Sequence, residues 1–241
     1  MKIAAKTDVG KVRESNQDAY ATGELPEGVA WAVVCDGMGG VAGGNIAATT
    51  AVKVISERIT SAYRTSMRGR SIKNLLVSAI NAANISVYDI AQANSSFAGM
   101  GTTVVCAIVT EHMAYIAHAG DSRAYMLTNG ELIQLTRDHS MVQDMVETGK
   151  ITQSEAKRHP HKNIITRALG VHPEVRVDFF EQTMTDDDIL LLCTDGLTNF
   201  VESEEICSLS KGTYYEFAER LVSRALDNGG GDNVTAVTLA Y

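Results

Sequence analysis

The sequence predicts an α+β fold in which antiparallel β-sheets pack together and are covered by α-helices. Three observations support this prediction. Short apolar runs recur along the chain and are typical of buried strands. Two long segments instead repeat apolar residues at helical spacing. An Asn-Gly pair at residues 129–130 is typical of a hairpin turn, which joins antiparallel strands.

The first part of the chain predicts an early strand, a buried strand and two long helices. Asp18 opens the early strand, and the apolar run 29–35 is the buried one. In the first helix the apolar residues are Ile46, Ala47, Ala51, Val54, Ile55 and Ile59. In the second they are Ile72, Leu75, Leu76, Ala79, Ile80, Ala83 and Val87. Each set lies on one face of its helix, so we expect both helices to pack on a sheet through that face.

The middle of the chain predicts paired strands followed by a segment of another kind. The apolar runs are 103–109, 113–119, 123–127 and 131–135. Residues 139–168 are polar, and Thr152 and Glu155 have the capping-box pattern of a helix start. Its polar composition predicts that this segment is an insertion that lies over another part of the molecule. It is either a segment that controls substrate access or a surface decoration.

The last part of the chain predicts three strands and one helix. The strands are the runs 175–181, 188–194 and 233–240. The helix covers about 214–227 and has an apolar face, and Thr213 and Glu216 are its predicted capping box. The chain has only three prolines and no Pro/Ser-rich linker. We therefore expect one domain over residues 1–241.

Composition excludes several classes of protein. A formal net charge of −8 makes nucleic acid a poor partner, because its phosphates would be repelled. No apolar stretch approaches the ~20 residues that span a bilayer. The N-terminal stretch lacks the apolar core of a signal peptide. The four cysteines form no CxxC pair, which favours buried thiols over disulfides or zinc ligands. We expect a cytoplasmic monomer with no membrane segment.

Acidic residues recur where apolar runs begin or end, usually beside glycine. They are Asp18, Asp36, Asp121, Asp195 and Asp232. For any one of them, the simple explanation is that Asp and Gly end strands because both favour turns. Together, however, they would place carboxylates near the core, where mutual repulsion and lost solvation are costly. Divalent cations remove that cost, because hard ions take carboxylate and carbonyl oxygens as ligands.

The residues around these acids carry a resemblance that covers residues 7 to 239. The matching motifs, in chain order, are TDVGKVRESNQDAY, VVCDGMGG, GMGTTVV, AHAGDSRAY, LTRDHSMV, HPHKNIITRALG, LLLCTDGLTNFV and GGGDNVTAV. The chain resembles the type 2C protein serine/threonine phosphatases of the metal-dependent PPM family, in their short bacterial form. This resemblance implies a four-layer αββα fold, a central sandwich of two antiparallel sheets flanked by helices on both sides. It also implies that residues 139–168 are a flap beside the metal centre.

The resemblance implies two divalent cations, Mn²⁺ or Mg²⁺, at one end of the sandwich. Asp36 would bridge both cations. Asp18 and the Gly37 carbonyl would complete one side, and Asp195 and Asp232 the other. A hydroxide that bridges the cations would attack phosphorus directly, with no phosphoenzyme intermediate.

The resemblance also implies functions for residues around these two cations. Asp121 would bind a third, weaker cation and would share Asp195 with it. Arg13 would grip the substrate phosphate, so Arg13 and Asp36 are the predicted catalytic residues. Asn16 and Asn233 would support neighbouring ligands.

One position departs from the family pattern. Most relatives read DGMGGH, where the histidine donates a proton to the leaving oxygen, but this chain has Val41 there. A positioned general acid contributes about 10²–10⁴ in rate. Three outcomes stay open: protonation by a metal-bound water, substitution by His139 or His161, or slow turnover on phosphoserine.

Three functions follow from these patterns. The first is a phosphatase that opposes serine/threonine kinases, with phosphorylated proteins, including such a kinase and its substrates, as partners. The second is a pseudophosphatase, a phosphoprotein-binding signalling module with weak turnover, which only Val41 favours. The third is a hydrolase of small phosphate esters or regulatory nucleotides. The retained acids and Arg13 favour an active enzyme.

Overall fold

The computed structural model describes the backbone of residues 1–241 and the surroundings of all side chains except those of residues 41 and 42. Two antiparallel sheets form its centre. In spatial order, the first sheet contains β1 (Lys2–Asp8), β11 (Val234–Ala240), β10 (Ile189–Cys193), β7 (Arg123–Thr128) and β8 (Glu131–Gln134). The second contains β2 (Asp18–Leu25), β3 (Val29–Met38), β5 (Val104–Thr110), β6 (Met113–Ala119) and β9 (Asp178–Thr183), and the short β4 (Gly101–Thr102) pairs with β3.

The helices lie outside the two sheets or in the connections between strands. In chain order they are α1 (Gly40–Ala62), α2 (Gly69–Ala93), α3 (Met141–Glu147), α4 (Gln153–Ala156), α5 (Asp195–Thr198), α6 (Ser203–Leu209) and α7 (Phe217–Asp227). Helices α1 and α2 pack on the outer face of the second sheet. Helices α6 and α7 pack on the outer face of the first. This arrangement confirms the predicted four-layer αββα sandwich.

Alternate residues of β3 pack in different layers of the core. Ala32 and Val34 share a buried cluster with Leu190 and Leu192 of β10, so this face of β3 points to the other sheet. The intervening Val33 packs in the cluster that contains α1 and α2. Because side chains alternate along a strand, an almost uniformly apolar run can serve both layers. This is why the buried strands were recognisable as short apolar runs.

Some predicted elements were wrong in detail. The prediction missed β1, and β9 begins at Asp178 instead of 175. Thr213 caps only a single 3₁₀ turn, without a side-chain bond, and α7 begins at Phe217. The Glu216 carboxylate instead accepts a hydrogen bond from Arg220, so the Thr213–Glu216 capping box is not formed.

Other predictions agree with the structure. The capping box of Thr152 and Glu155 is formed at the start of α4. All four cysteines are free thiols, and only Cys207 is partly exposed. Across the described chain, no helix combines the length and the apolar character that crossing a lipid bilayer requires.

Candidate metal centre

The strand ends bring the predicted acids to one edge of the sandwich. Asp18 and Asp36 lie directly opposite each other in the β2–β3 pair. Asp121 lies between β6 and β7, Asp195 begins α5 directly after β10, and Asp232 precedes β11. The two sheets therefore contribute separate acids to the same edge. Like charges placed opposite each other in a sheet are destabilising, so this convergence needs a compensating positive charge.

A cleft of about 760 Å³ opens at this edge. Six residues that the sequence predicts to be functional line this cleft. They are Arg13, Asp36, Gly37, Asp121, Asp195 and Asp232. Asp18 is not among the lining residues, because its side chain is buried. The structure thus brings four of the five predicted acids together with Arg13 in the cleft, and the fifth, Asp18, is buried opposite Asp36 in the β2–β3 pair.

The Asp18 side chain is held by two threonine hydroxyl groups. Its Oδ2 accepts hydrogen bonds from Thr194 Oγ1 at 2.9 Å and Thr235 Oγ1 at 2.7 Å. Its backbone N–H donates to Asn16 Oδ1. Its Oδ1 is buried and has no hydrogen-bond partner among the described residues. A buried carboxylate oxygen without a partner is costly, and a cation would satisfy it.

Desolvation and mutual repulsion raise the pKa values of the clustered acids. Burial raises the pKa of Asp18 to about 7, and neighbouring Asp195 adds to the shift. Desolvation, followed by repulsion from Asp18 and Asp195, holds the pKa of Asp36 well above its usual range. Desolvation and Asp195 raise the pKa of Asp121 to about 8. The upward direction of all three shifts shows that the site disfavours several negative charges in the absence of cations.

The donor set fits hard divalent cations. Every candidate donor is an oxygen, which Mg²⁺ and Mn²⁺ prefer over sulfur or nitrogen. Within this set, Asp18 Oδ1 has no hydrogen-bond partner among the described residues, so it is an oxygen that a cation could bind. As the side chains stand, no group of three or more His, Cys, Asp or Glu residues in the described part of the chain is arranged to hold a metal ion, so side chains must rotate for a cation to bind. Some carboxylates are engaged by protein groups, as in the bond from Asn199 Nδ2 to Asp195 Oδ2.

Arg13 reaches into the same cleft and pairs with Asp232. Its Nε lies 2.9 Å from Asp232 Oδ1, and its Nη2 donates to Oδ2 at 2.9 Å. The Arg13 side chain is 55% exposed. A guanidinium has five N–H donors in a planar fork, so it can hold Asp232 on one edge and offer the other to an anion.

Asn233 supports the loop that carries Arg13. Its Oδ1 accepts from the Gln17 N–H, and its Nδ2 donates to the carbonyls of Val9 and Ser15. Residues 9–17 are thereby attached to the start of β11 over a separation of more than 200 positions in sequence. The position of Arg13 therefore depends on contacts from the other end of the chain.

Glycine is required where β3 meets α1. A Cβ on Gly37 would lie 2.1 Å from the Gly44 carbonyl oxygen, so no side chain fits there. Gly39 has φ +116°, in the region that favours glycine, and it lies against Met100. These glycines let the helix start approach the strand end closely, directly beside Asp36.

Sequence reasoning missed several residues that hold the site. Thr194 and Thr235 bind Asp18, and Thr103 Oγ1 accepts the Asp36 N–H at 3.0 Å. The available signal was a hydroxyl residue next to an acid at the end of a buried strand, as in Thr194–Asp195. That signal is weak alone, because threonine is also an ordinary strand residue.

The flap segment, residues 139–168, borders the cleft through Asn163 and Ile165. The two histidines considered as proton donors do not line the cleft. His139 is 1% exposed, and His161 lies on the surface of the flap. Neither is placed to protonate a leaving group. The position of Val41, where relatives have histidine, lies outside the described side chains.

Comparisons with known proteins find relatives that match nearly the whole chain. The serine/threonine phosphatase stp of Listeria monocytogenes is 40% identical over 237 residues, covering 96% of this chain and 92% of that protein. The solved structure of serine/threonine phosphatase Stp1 from Staphylococcus aureus has a TM-score of 0.93 at 37% identity, covering 100% of this chain and 94% of that one.

A second solved structure is relevant to the cation question. It is the catalytic domain of the serine threonine protein phosphatase PstP in complex with two manganese ions, with a TM-score of 0.86, 33% identity, and coverage of 98% of this chain and 96% of that one. The family model of protein phosphatase 2C matches residues 10–235. Because this match covers most of the chain and the Listeria monocytogenes relative is 40% identical over nearly all of it, the chain belongs to the protein phosphatase 2C family.

Proposed function

We propose that this chain is a divalent-cation-dependent enzyme that hydrolyses phosphoserine and phosphothreonine in proteins. One observation carries the proposal: carboxylates from both sheets converge with Arg13 in one cleft. The oxygen donors suit hard cations, and the guanidinium suits a phosphate dianion. The cleft therefore offers carboxylates that can hold cations and a guanidinium that can bind the phosphate group. Hydrolysis of a phosphate ester by this chemistry needs both.

The proposed ligand set follows the five acids. Two cations would be held by Asp18, Asp36, the Gly37 carbonyl, Asp195 and Asp232, and Asp36 would be the ligand that both cations share. The cations are Mn²⁺ or Mg²⁺. When bound, the cations would supply a nucleophile by lowering the pKa of a coordinated water, and they would reduce the negative charge that opposes attack on phosphorus.

Asp121 is proposed to hold a third cation, together with Asp195. Both residues line the cleft. Arg13 binds the phosphoryl group through the guanidinium edge that faces away from Asp232. Its fixed fork orients the phosphorus for attack in line and neutralises charge on the phosphoryl oxygens. Arg13 and Asp36 are therefore the residues that we propose as catalytic.

The proposal also includes the partners of the protein and its location in the cell. Phosphorylated proteins are the substrates, among them a serine/threonine kinase and the proteins that it modifies. The chain acts in the cytoplasm as a monomer, with residues 1–241 as one domain. The flap borders the cleft through Asn163 and Ile165, and this position supports a function in substrate selection.

A phosphothreonine peptide tests the proposed function. Phosphate release should require Mn²⁺ or Mg²⁺, should stop in excess chelator, and should return when the cation is restored. The physical reason is that the cleft alone offers carboxylates to a dianion, which repel it. Undiminished release in excess chelator would contradict the proposal. Binding of the peptide without release would instead support the pseudophosphatase, which no feature of the described residues favours.

The Val41 position gives a second prediction. Among its described lining residues the cleft has no histidine, so the leaving serine oxygen must take its proton from water. Val41→His should therefore raise turnover on a phosphoserine peptide by about 10-fold or more. An aryl phosphate, whose leaving group needs little protonation, should respond much less.

Val41→Asn is the matched control, because it adds a polar side chain that cannot act as an acid. Steady-state kcat on both substrates checks the prediction. An equal gain on phosphoserine peptide and aryl phosphate, or an equal gain for the asparagine variant, would contradict it.

A further inference from the structure

The turn that carries Asp121 is held by His139 at the start of the flap. The His139 backbone N–H donates to the Gly120 carbonyl at 2.9 Å. In return, the Gly120 N–H donates to His139 Nδ1 at 3.0 Å. One residue thus binds both polar groups of the glycine before Asp121. This fixes the peptide planes on both sides of Gly120, and with them the direction in which the Asp121 side chain leaves the backbone.

The opposite side of the same turn is closed by Thr103. Gly120 has φ +121°, and a Cβ there would lie 2.6 Å from Thr103 Cβ. The Thr103 hydroxyl shares a hydrogen bond of 2.6 Å with Ser122. It also accepts the Asp36 N–H. The turn is therefore held between Thr103 and the His139 side chain, and Thr103 is shared with the strand end that carries Asp36.

The hydrogen bonds of His139 define its tautomer. Because Nδ1 accepts from Gly120, the ring proton lies on Nε2, which donates to Asp178 Oδ2 at 3.1 Å. A carboxylate that binds the second ring nitrogen is the usual way to fix an imidazole in one orientation. Burial and the stacked ring of His118, 4.5 Å away, lower the pKa of His139 to about 4. The ring is neutral at pH 7 and keeps Nδ1 as an acceptor.

The His139 backbone and the carboxylate of Asp178 join both ends of the flap. Thr166 donates its backbone N–H to the His139 carbonyl at 2.8 Å. Arg167 Nη1 donates to Asp178 Oδ1 at 2.8 Å, beside the oxygen that His139 uses. Residues 139 and 166–167 are the two ends of the flap segment. A change in the flap would therefore act on the ring and, through Gly120, on Asp121.

We propose that His139 is a positioning residue that sets the Asp121 carboxylate for cation binding and couples that carboxylate to the flap. The inference rests on the proposed function, because only there is Asp121 a cation ligand. It adds a physical link between substrate selection at the flap and cation affinity at the edge of the cleft. Asp178 is part of the link, since it holds the ring in the required tautomer.

Mn²⁺ titration of purified protein, followed by electron paramagnetic resonance, tests this link without turnover. His139→Phe keeps the ring volume but removes the acceptor. It should weaken the weakest Mn²⁺ site by about 10-fold or more and leave the tighter sites unchanged. His139→Asn keeps an acceptor close to the position of Nδ1 and should stay near the wild-type affinity. Asp121→Asn should remove the weakest site altogether.

Nuclear magnetic resonance of the unsubstituted protein provides a test that does not depend on a variant that folds. An N–H···N hydrogen bond transmits scalar coupling, so a coupling between the Gly120 amide nitrogen and His139 Nδ1 is expected. Absence of this coupling overturns the inference. So does a His139→Phe variant with wild-type Mn²⁺ affinity, or a His139→Asn variant as weak as His139→Phe.

The outcomes separate this inference from the proposed function. If Asp121→Asn leaves the Mn²⁺ titration unchanged, the positioning of Asp121 has no consequence for cations and the inference is overturned. The proposed function is decided independently, by cation-dependent phosphate release and its dependence on Asp36. If phosphate release requires Mn²⁺ but substitution of His139 does not change the Mn²⁺ affinity, the proposed function stands. The proposal that His139 positions Asp121 is then refuted.

Discussion

Asp36→Asn should lower phosphate release from a phosphothreonine peptide by on the order of 10³-fold or more, with the fold intact. Burial raises the pKa of Asp36, and repulsion from the other four acids of the cluster raises it further, so Asp36 lies at the centre of the cluster. An amide has nearly the same shape but lacks the charge that would bridge two cations. Losing several kcal/mol of charge stabilisation in the transition state gives a rate loss of this size.

The control for this variant is Asp187→Asn, the same change at an exposed turn outside the cleft. It should leave kcat and Mn²⁺ binding unchanged. Circular dichroism and thermal unfolding should show that the Asp36→Asn protein is folded, and without cations it should be at least as stable as the unsubstituted protein. Turnover within about tenfold of the original would remove Asp36 from the proposed centre.

In excess chelator, the protein should lose stability as the pH rises from about 4 to about 8. The folded state raises the pKa of Asp18 to about 7 and that of Asp121 to about 8, whereas in the unfolded chain both lie near 3.8. The folded state therefore binds protons that the unfolded state has released. The resulting stabilisation is fully present below the unfolded pKa and is lost as the pH passes through the folded values.

The expected loss is on the order of a few kcal/mol, since each unit of pKa shift corresponds to about 1.4 kcal/mol and the acids titrate together. Denaturant unfolding at several pH values measures it. Saturating Mn²⁺ should remove most of the loss, because cations replace protons as the compensating charge. Asp36→Asn should give a shallower profile in chelator. A stability that rises with pH over this range in chelator would contradict the cluster electrostatics.

Most of the sandwich could be predicted because its strands are buried on both faces. Such strands are short, almost uniformly apolar runs, and the apolar stretch of β3 is the clearest example. Strand β1 was missed for the opposite reason. It lies at a sheet edge, is mostly half-buried, and includes Lys2 and Lys6. Its pairing with β11 depends on a partner more than 200 residues away, which local pattern cannot reveal.

The candidate site likewise contains residues that the sequence reveals and residues that only the structure reveals. The acids could be found because turn-forming residues stand where buried runs end, a conflict visible in the sequence. The groups that hold them could not. Thr235 reaches Asp18 across 217 positions in the chain, and His139 reaches Gly120 across 19. A hydroxyl or an imidazole gains meaning only from what folding brings beside it, so these contacts required the structure.

The placement of β11 has a consequence for protein synthesis. This strand follows β1 and β10 in sequence, yet it lies between them in the sheet, and Asp232 lies two residues before its first residue, Val234. A nascent chain that has not yet reached residue 232 lacks both that carboxylate and the strand that joins β1 to β10. The proposed cation site should therefore stay incomplete until β11 has been synthesised and has inserted between these two strands.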